Sequence, residues 1–530
     1  FPAIPRAAAS SDVVTSRASA AKWPSRALII VTAAALVRLV FAAIIPAFPD
    51  ETYYWEWSRR RAAGYFDHPP AVAWLVRAGS LVLAPFNASA TSLGVRLAPV
   101  IAGWIAAVAT VGAARRLGGE AGALRAAIVI TVMPLAAAGL ILATPDAPLL
   151  AAIAVSLYCV IRVLETRVGS PESLRWWVAT GVALGAAFCS KYTSIFFPVA
   201  VAAAVFVRSD LRARLKEPGP YVACVVAALV FLPVLLWNAR HDWISFAFQI
   251  SHGLEAPAAK RSALATAWRN EGDFFGGQAA LASPILFVMF GVVVAQSLRN
   301  RASSERFVLA VVALVSFAFF VFSALRKHVE PNWPAPAYIS AIVLLATMPW
   351  TASVKRWFTG GVVLAGAMSL LIYVQGVVPV LPIPPARDPI ARAHGWRDVG
   401  LRAEAFAKSV SDETRSTSWL GGDRYQEASE LAFHASTHPT TFSVNLAGRP
   451  NQYDLWPRFF EVARRGENLV LLVDDDDGGM HAAVRALVPY FADVRSGELV
   501  ELRRGSSVIG TRRLWALVGW KGGWAPPRTR

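Results

Sequence analysis

Apolar residues along this chain fall in long blocks, separated by short basic or proline-rich breaks. A helix needs about 20 apolar residues to cross the hydrocarbon core of a bilayer. The blocks predict membrane spans near 27–46, 93–113, 122–142, 146–163, 176–190, 193–208, 220–237, 284–298, 306–325, 335–350 and 358–380. That makes about eleven, an odd number, which puts the two chain ends on opposite sides. Two longer polar stretches, 47–92 and 238–283, read as loops on one side, so residues 26–386 form the membrane domain. Beyond them the pattern changes. Short alternating runs at Thr440–Val444, Asn468–Val473, Leu499–Arg503 and Val508–Arg513 predict strands, with helical patterns near 389–409, 424–435 and 479–490. Residues 387–530 therefore read as a soluble α/β domain, joined by a linker stiffened by the prolines between Pro379 and Pro389. The expected fold class is an α-helical polytopic membrane protein with a C-terminal α/β domain.

Composition supports this. The chain has 530 residues, 55% hydrophobic and only 16% charged, where a soluble domain carries about a quarter charged. The net charge of +17 is mainly an orientation signal. Arg6, Arg17, Lys22 and Arg26 precede the first span. Alternate loops then hold Arg115-Arg116, Arg162 with Arg167, Arg208 through Lys216, Arg299 through Arg306, and Lys355-Arg356. Retained positive charge marks that side as cytoplasmic. No basic run is interleaved with base-stacking aromatics, so nucleic acid is not an expected partner. Residues 1–25, rich in Ala, Ser and Arg, are expected to be a disordered cytoplasmic tail. The first apolar run has a second reading as a cleaved signal peptide. Its length and its direct passage into further spans favour a span. Cys159, Cys189 and Cys224 lie inside predicted spans and behave as small apolar residues.

The unusual polar residues collect on the side opposite the basic loops. Asp50, Glu51, Asp67 and His68 lie in the first external loop, Asp146 follows Thr144-Pro145, and Lys191 sits in Ser190-Lys191-Tyr192. The second loop brings Arg240, His241, Asp242, Lys260, Arg269 and Asp273. A third cluster runs from Arg326 through Lys327, His328, Glu330 and Asn332 to Trp333. Ionisable groups at a membrane edge are costly unless paired or used. Each cluster also has a structural reading. Tyr53, Tyr54, Trp55 and Trp57 fit an interfacial aromatic belt, Asp146 an N-cap, Lys191 a snorkelling side chain, and His68 an ordinary loop residue. Adjacent acids such as Asp50-Glu51 gain nothing from anionic lipid at a span exit, which favours a functional role. The run Asp474–Asp477 reads as a solvated turn, with cation binding as the alternative.

Five segments carry a resemblance: Asp50-Glu-Thr-Tyr-Tyr-Trp-Glu-Trp57, Tyr65-Phe-Asp-His-Pro-Pro70, Thr144-Pro-Asp146, Ser190-Lys-Tyr-Thr193 and Glu330-Pro-Asn-Trp-Pro-Ala-Pro-Ala-Tyr338. Together they resemble the GT-C type glycosyltransferases that use polyprenyl-phosphate sugars. The likeness is to the bacterial branch related to protein O-mannosyltransferases and lipid A aminoarabinose transferases. Asp423 through Phe433 and Gly448 through Trp456 look like the soluble extension of some bacterial members. The resemblance implies a GT-C fold and a multi-pass protein of the bacterial cytoplasmic membrane, with active site and C-terminal domain on the periplasmic side. Its partners would be a polyprenyl-phosphate-linked sugar donor and an acceptor hydroxyl on lipid A, another glycolipid, a glycan or a protein. Asp50 would be the general base, with Glu51 and Asp146 beside it. Lys191, Arg326, Lys327 and His328 would hold the donor phosphate. Tyr53, Tyr54, Asp67, His68, Glu330, Asn332 and Trp333 would contact substrate.

One departure concerns Asp67-His68, where aminoarabinose transferases commonly have an acid followed by lysine. No cofactor is implied with certainty; a divalent metal on Asp50, Asp67, His68 and Asp146 stays open, because no ligand spacing fixes it. The soluble domain is expected to cover the active face and help choose the acceptor through Tyr425, Asn451, Gln452, Tyr453 and Trp456. The competing function is a transporter or lipid flippase. It predicts internal repeats and broken helices at mid-membrane, and the sequence offers neither.

Overall fold

The computed structural model describes residues 25–254, 263–300, 303–446, 448–475 and 479–524. The expected tail before Ser25, Lys260, and Asp476-Asp477 of the acidic run lie outside the described residues. The membrane part begins with α1 (Arg26–Ile44), α2 (Pro49–Arg59), α3 (Ala71–Leu83), α4 (Ser92–Val132) and α5 (Pro134–Gly139). It continues with α6 (Asp146–Glu165), α7 (Pro171–Phe188), α8 (Phe196–Val207), α9 (Gly219–Ala239) and α10 (Ile244–Leu254). It closes with α11 (Ala263–Ala282), α12 (Pro284–Asn300), α13 (Ser304–Ala324), α14 (Ala335–Ala346) and α15 (Ala352–Val377).

A helix lies at every predicted span, but the count differs. Among the described residues six helices are long and apolar enough to cross a membrane, or seven if α11 and α12, bent by 100°, act as one. The other apolar helices, such as Ala335–Ala346, are shorter than a bilayer requires. Two expected spans share α4, which turns sharply at Gly119 (φ 61°, ψ −157°). That backbone region is open almost only to glycine. Beyond the turn the chain doubles back so closely that a Cβ on Gly122 would sit 2.8 Å from the Ala114 carbonyl oxygen.

The stretches expected as loops are largely helical. Residues 47–92 hold α2 and α3, and 238–283 hold α10 and α11. In α2, proline occupies the first turn and Asp50 and Glu51 follow it. Proline there has a preset φ, and acids at a helix start favour the positive end of the dipole.

The apolar core of the membrane part is built by α4, α6, α13 and α14, together with parts of α1 and α12. Basic residues gather at one end of this bundle. Arg125 donates to the Ala346 carbonyl at 3.2 Å, Arg306 to the Thr347 carbonyl at 2.8 Å, and Arg116 pairs with Glu165 at 2.7 Å.

The C-terminal part comprises α16 (Trp396–Thr414), β1 (Ser418–Gly422), α17 (Tyr425–His434), β2 (Thr441–Ser443), β3 (Asn468–Asp474), β4 (Phe491–Arg504) and β5 (Ser507–Trp520). The sheet order is β2-β1-β3-β5-β4. The β1 strand runs parallel to β2 and β3, and β5 is antiparallel to β3 and β4. The alternation pattern missed β1, because Ser-Trp-Leu-Gly-Gly in mid-sheet has no polar face to alternate. Gly422 lets α17 approach: a Cβ there would lie 2.6 Å from the Ala428 nitrogen.

This domain docks directly on α2. Trp55 meets Phe433 with ring centroids 5.1 Å apart. The hydroxyls of Thr52 and Ser429 lie 3.1 Å apart in the buried interface. The linker is pinned as well, since Asp388 pairs with Arg504 at 2.5 Å and accepts from Gln375 at 2.8 Å.

Candidate active site

A cavity of about 670 Å³ opens where α2, α6, α10, α13 and the soluble domain meet. Its volume falls in the range of about 300–1,000 Å³ typical of small-molecule sites. Acids Asp50, Asp67, Asp146 and Glu330 line it, with Lys191, Lys327, Arg392 and Arg449 as cations. An apolar wall of Ile195, Phe196, Phe246, Phe248, Phe319 and Phe320 faces the same space.

Asp50, in the first turn of α2, is exposed to the cavity. Tyr425 of α17 donates its hydroxyl to Asp50 Oδ1 at 3.2 Å. Enclosure raises the Asp50 pKa, opposed by the Tyr425 hydrogen bond and the charge of Arg449.

Glu51 faces the other way. Arg96 forms a fork on its carboxylate, with Nε at 2.8 Å from Oε1 and Nη2 on Oε2. The backbone nitrogens of Ala143 and Phe48 also donate to it, at 2.7 Å and 3.0 Å. A carboxylate so occupied has no place for a substrate proton, and it does not line the cavity. The expected catalytic role of Glu51 becomes a structural one: it ties α2 to α4 and to the turn before α6.

Asp146 is the first residue of α6, and its side chain does not cap that helix. It binds Lys191 Nζ at 2.7 Å and Asn332 Nδ2 at 2.6 Å. Lys191 is therefore ion-paired rather than snorkelling to headgroups. Asp67 is buried, accepting from Tyr53 Oη at 2.8 Å and from Arg449 Nη1 at 2.5 Å. Burial raises its pKa and the Arg449 charge lowers it. Tyr53 thus contacts Asp67 rather than the cavity, while Tyr54 and His68 line it. The aromatic set Tyr53, Tyr54, Trp55 and Trp57 is buried and does not form a lipid belt: Tyr53 packs on Tyr425 and Trp55 on Phe433 of the soluble domain, while Trp57 stacks on Tyr65.

The third cluster divides. Lys327, Glu330, Asn332 and Trp333 line the cavity, with Lys327 Nζ 5.3 Å from the Trp333 ring. Arg326 turns to Phe322 at 4.5 Å, and exposed His328 lies 3.9 Å from Glu330, so neither faces the cavity. Among the described residues no three His, Cys, Asp or Glu side chains converge as a metal site. Of the set considered from sequence, Asp67 turns its oxygens to Arg449 and Tyr53, and Asp146 to Lys191 and Asn332.

Sequence reasoning missed Arg392 and Arg449, both from the soluble domain. The signal was present for one of them. Arg449 opens the Gly448–Trp456 segment, whose other residues drew attention as sugar contacts. Those residues pack instead: Gln452 accepts from the Phe66 nitrogen at 2.7 Å, and Trp456 lies under Arg60 at 4.0 Å.

Residues 67–237 match the family model described as dolichyl-phosphate-mannose-protein mannosyltransferase. The chain is 26% identical over 373 residues to the lipid A galacturonosyltransferase RgtD of Rhizobium johnstonii, covering 69% of this chain and 74% of the relative. Among solved structures, ArnT from Cupriavidus metallidurans bound to undecaprenyl phosphate superposes with a TM-score of 0.63 at 16% identity, over 94% of this chain and 99% of that one. The Archaeoglobus fulgidus oligosaccharyltransferase follows the same fold, with a TM-score of 0.51 at 13% identity, over 84% of this chain and 68% of that one. Acids and cations facing one cavity at the end of such a helical bundle, the family match over residues 67–237 and the similarity to a lipid A transferase together support a membrane glycosyltransferase with the GT-C fold.

Proposed function

We propose that this enzyme moves a sugar from a polyprenyl-phosphate donor to a hydroxyl of a glycolipid acceptor, with lipid A the first choice, at the periplasmic face of the inner membrane. The observation that carries this reading is Asp50, open to a cavity that also holds cations and an apolar wall. The acceptor hydroxyl attacks the anomeric carbon of the sugar. The bond from that carbon to the phosphate oxygen breaks, and the hydroxyl proton passes to Asp50. A proton acceptor so placed is commonly worth about 10²–10⁴-fold. The leaving polyprenyl phosphate is a stable anion and needs positive charge rather than an acid. Lys327 and Lys191 meet that need, with Asp146 and Asn332 orienting Lys191. The phenylalanine wall suits the first isoprene units of the carrier. The relative that acts on lipid A and the neighbour bound to undecaprenyl phosphate support both choices.

The test is mass spectrometry of lipid A and surface glycans from cells with and without the protein, and with Asp50→Asn. A sugar present on lipid A only with the wild-type enzyme is the expected result. Identical spectra in all three strains, with the protein present in the membrane, would sink the proposal.

A further inference from the structure

We infer that Arg449, delivered by the soluble domain, is a positioning residue of the transfer reaction: it holds Asp67 in place and supplies the charge that lets Asp50 and Asp67 be negative together. This rests on the transferase reading above and deepens it.

The geometry is specific. Arg449 Nη1 lies 2.5 Å from Asp67 Oδ1, while Tyr53 fills Oδ2. The guanidinium stands 5.3 Å from the Phe248 ring and 5.4 Å from the Tyr425 ring, and Tyr425 in turn donates to Asp50. The loop that presents it is closed on itself. Asn445 Nδ2 donates to the Arg449 carbonyl at 3.1 Å and to Asp454 at 2.9 Å, and Asp454 also accepts from the Asn451 nitrogen at 2.8 Å. The Arg449 side chain keeps 45% of its surface open and lines the cavity, so the clamp leaves room for substrate.

Charge explains what this arrangement does. Two carboxylates in one enclosed space disfavour each other's ionisation. Asp50 interacts with Asp67, Arg449, Arg392, Tyr425 and Tyr54, and Asp67 with Asp50, Arg449, Tyr53, Tyr54, Tyr425 and Asp454. Arg449 is the cation that acts on both acids. Without it, Asp67 is left buried with Tyr53 as its side-chain partner, and among the described residues Arg392 is the cation left to offset the second carboxylate at Asp50.

The test uses the full-length enzyme, polyprenyl-phosphate sugars extracted from the native membranes, and native glycolipid. Arg449→Met should lower kcat/KM by about 10²-fold, the scale of a misplaced reacting group, with the loss mainly in kcat. The acid limb of the pH–rate profile should move upward by about 1 pH unit or more, as carboxylates lose a neighbouring guanidinium. Arg449→Lys should return the limb most of the way but restore less of the rate, because the ammonium lacks the planar fork. Added guanidinium ion should partly rescue Arg449→Ala. Binding of undecaprenyl phosphate alone should hold, since other cations meet the phosphate.

An acid limb unmoved in a well-folded variant would overturn the inference, leaving Arg449 a mere domain clamp. So would loss of undecaprenyl phosphate binding as large as the loss of transfer. If Arg449→Met does not fold, Arg449→Lys decides the matter by the same profile. No transfer by the wild type would instead overturn the transferase reading, and this role with it.

Discussion

At the scale of single residues, adjacent acids have separate fates. Asp50 opens to the cavity, and Glu51 is enclosed by Arg96 and two backbone nitrogens. Breaking a buried ion pair by removing one partner costs about 3–5 kcal/mol. Glu51→Ala should therefore lower the melting temperature of the purified enzyme sharply, while Asp50→Asn should not. The folded-state pKa of Asp50 is raised, mainly by desolvation within the cavity, so the native protein holds this proton more tightly than the unfolded chain. The stability it contributes is present at low pH and is lost as pH rises from the unfolded value through the folded one. Asp50→Asn removes that loss, so at neutral pH the variant should melt no lower than wild type while transfer falls by about 10²–10⁴-fold. Transfer by the wild type should rise with pH through the Asp50 pKa. A variant that keeps near-normal transfer would move the base elsewhere.

Asp50 was legible in sequence because it stands beside a span. The segment holding Arg449 was legible but its role was not, because its partner Asp67 is separated from it by 382 positions.

At the scale of elements, the span pattern predicted helices and misjudged their lengths and joints. Hydropathy reports apolar composition, whereas the turn in α4 depends on one backbone angle. A Cβ at Gly119 would have nothing within 4 Å, so a side chain there would meet strain rather than a clash. Holding a non-glycine residue in such a region costs about 1–3 kcal/mol. Gly119→Ala should lower thermal stability by about that amount, measured by melting in detergent, and leave transfer at low temperature intact. Unchanged melting would mean that the turn relaxes.

The polar stretch 47–92 shows the same limit. Its residues are too polar for a span, so they read as a loop, yet α2 forms with Pro49 at its start and the soluble domain against its aromatic face. The partner that covers Tyr53 and Trp55 comes from the far end of the chain, and no local pattern announces it.

At the scale of the whole molecule, the basic residues and the cavity occupy opposite ends of the bundle. If the positive end is cytoplasmic, as retained charge favours, the proposed orientation turns the cavity and the soluble domain to the periplasm. Single cysteines at exposed Arg61 and Asp412 should react with an impermeant thiol reagent in intact spheroplasts, in a background lacking the three native cysteines. A cysteine at exposed Arg356 should react only after lysis. The reverse pattern would invert the orientation.

The sequence alone determined the membrane character, the gathering of basic residues at one end of the bundle, the presence of a C-terminal α/β domain and the acids that follow the first span. These follow from local composition and from motifs that stay together along the chain. Only the tertiary structure decided which acid is open and which is locked, that Lys191 is already paired, that Arg326 and His328 face away, and that the soluble domain supplies two arginines to the cavity. Those outcomes depend on contacts between segments far apart in sequence, where burial and charge pairing are set by the partner and not by the residue itself.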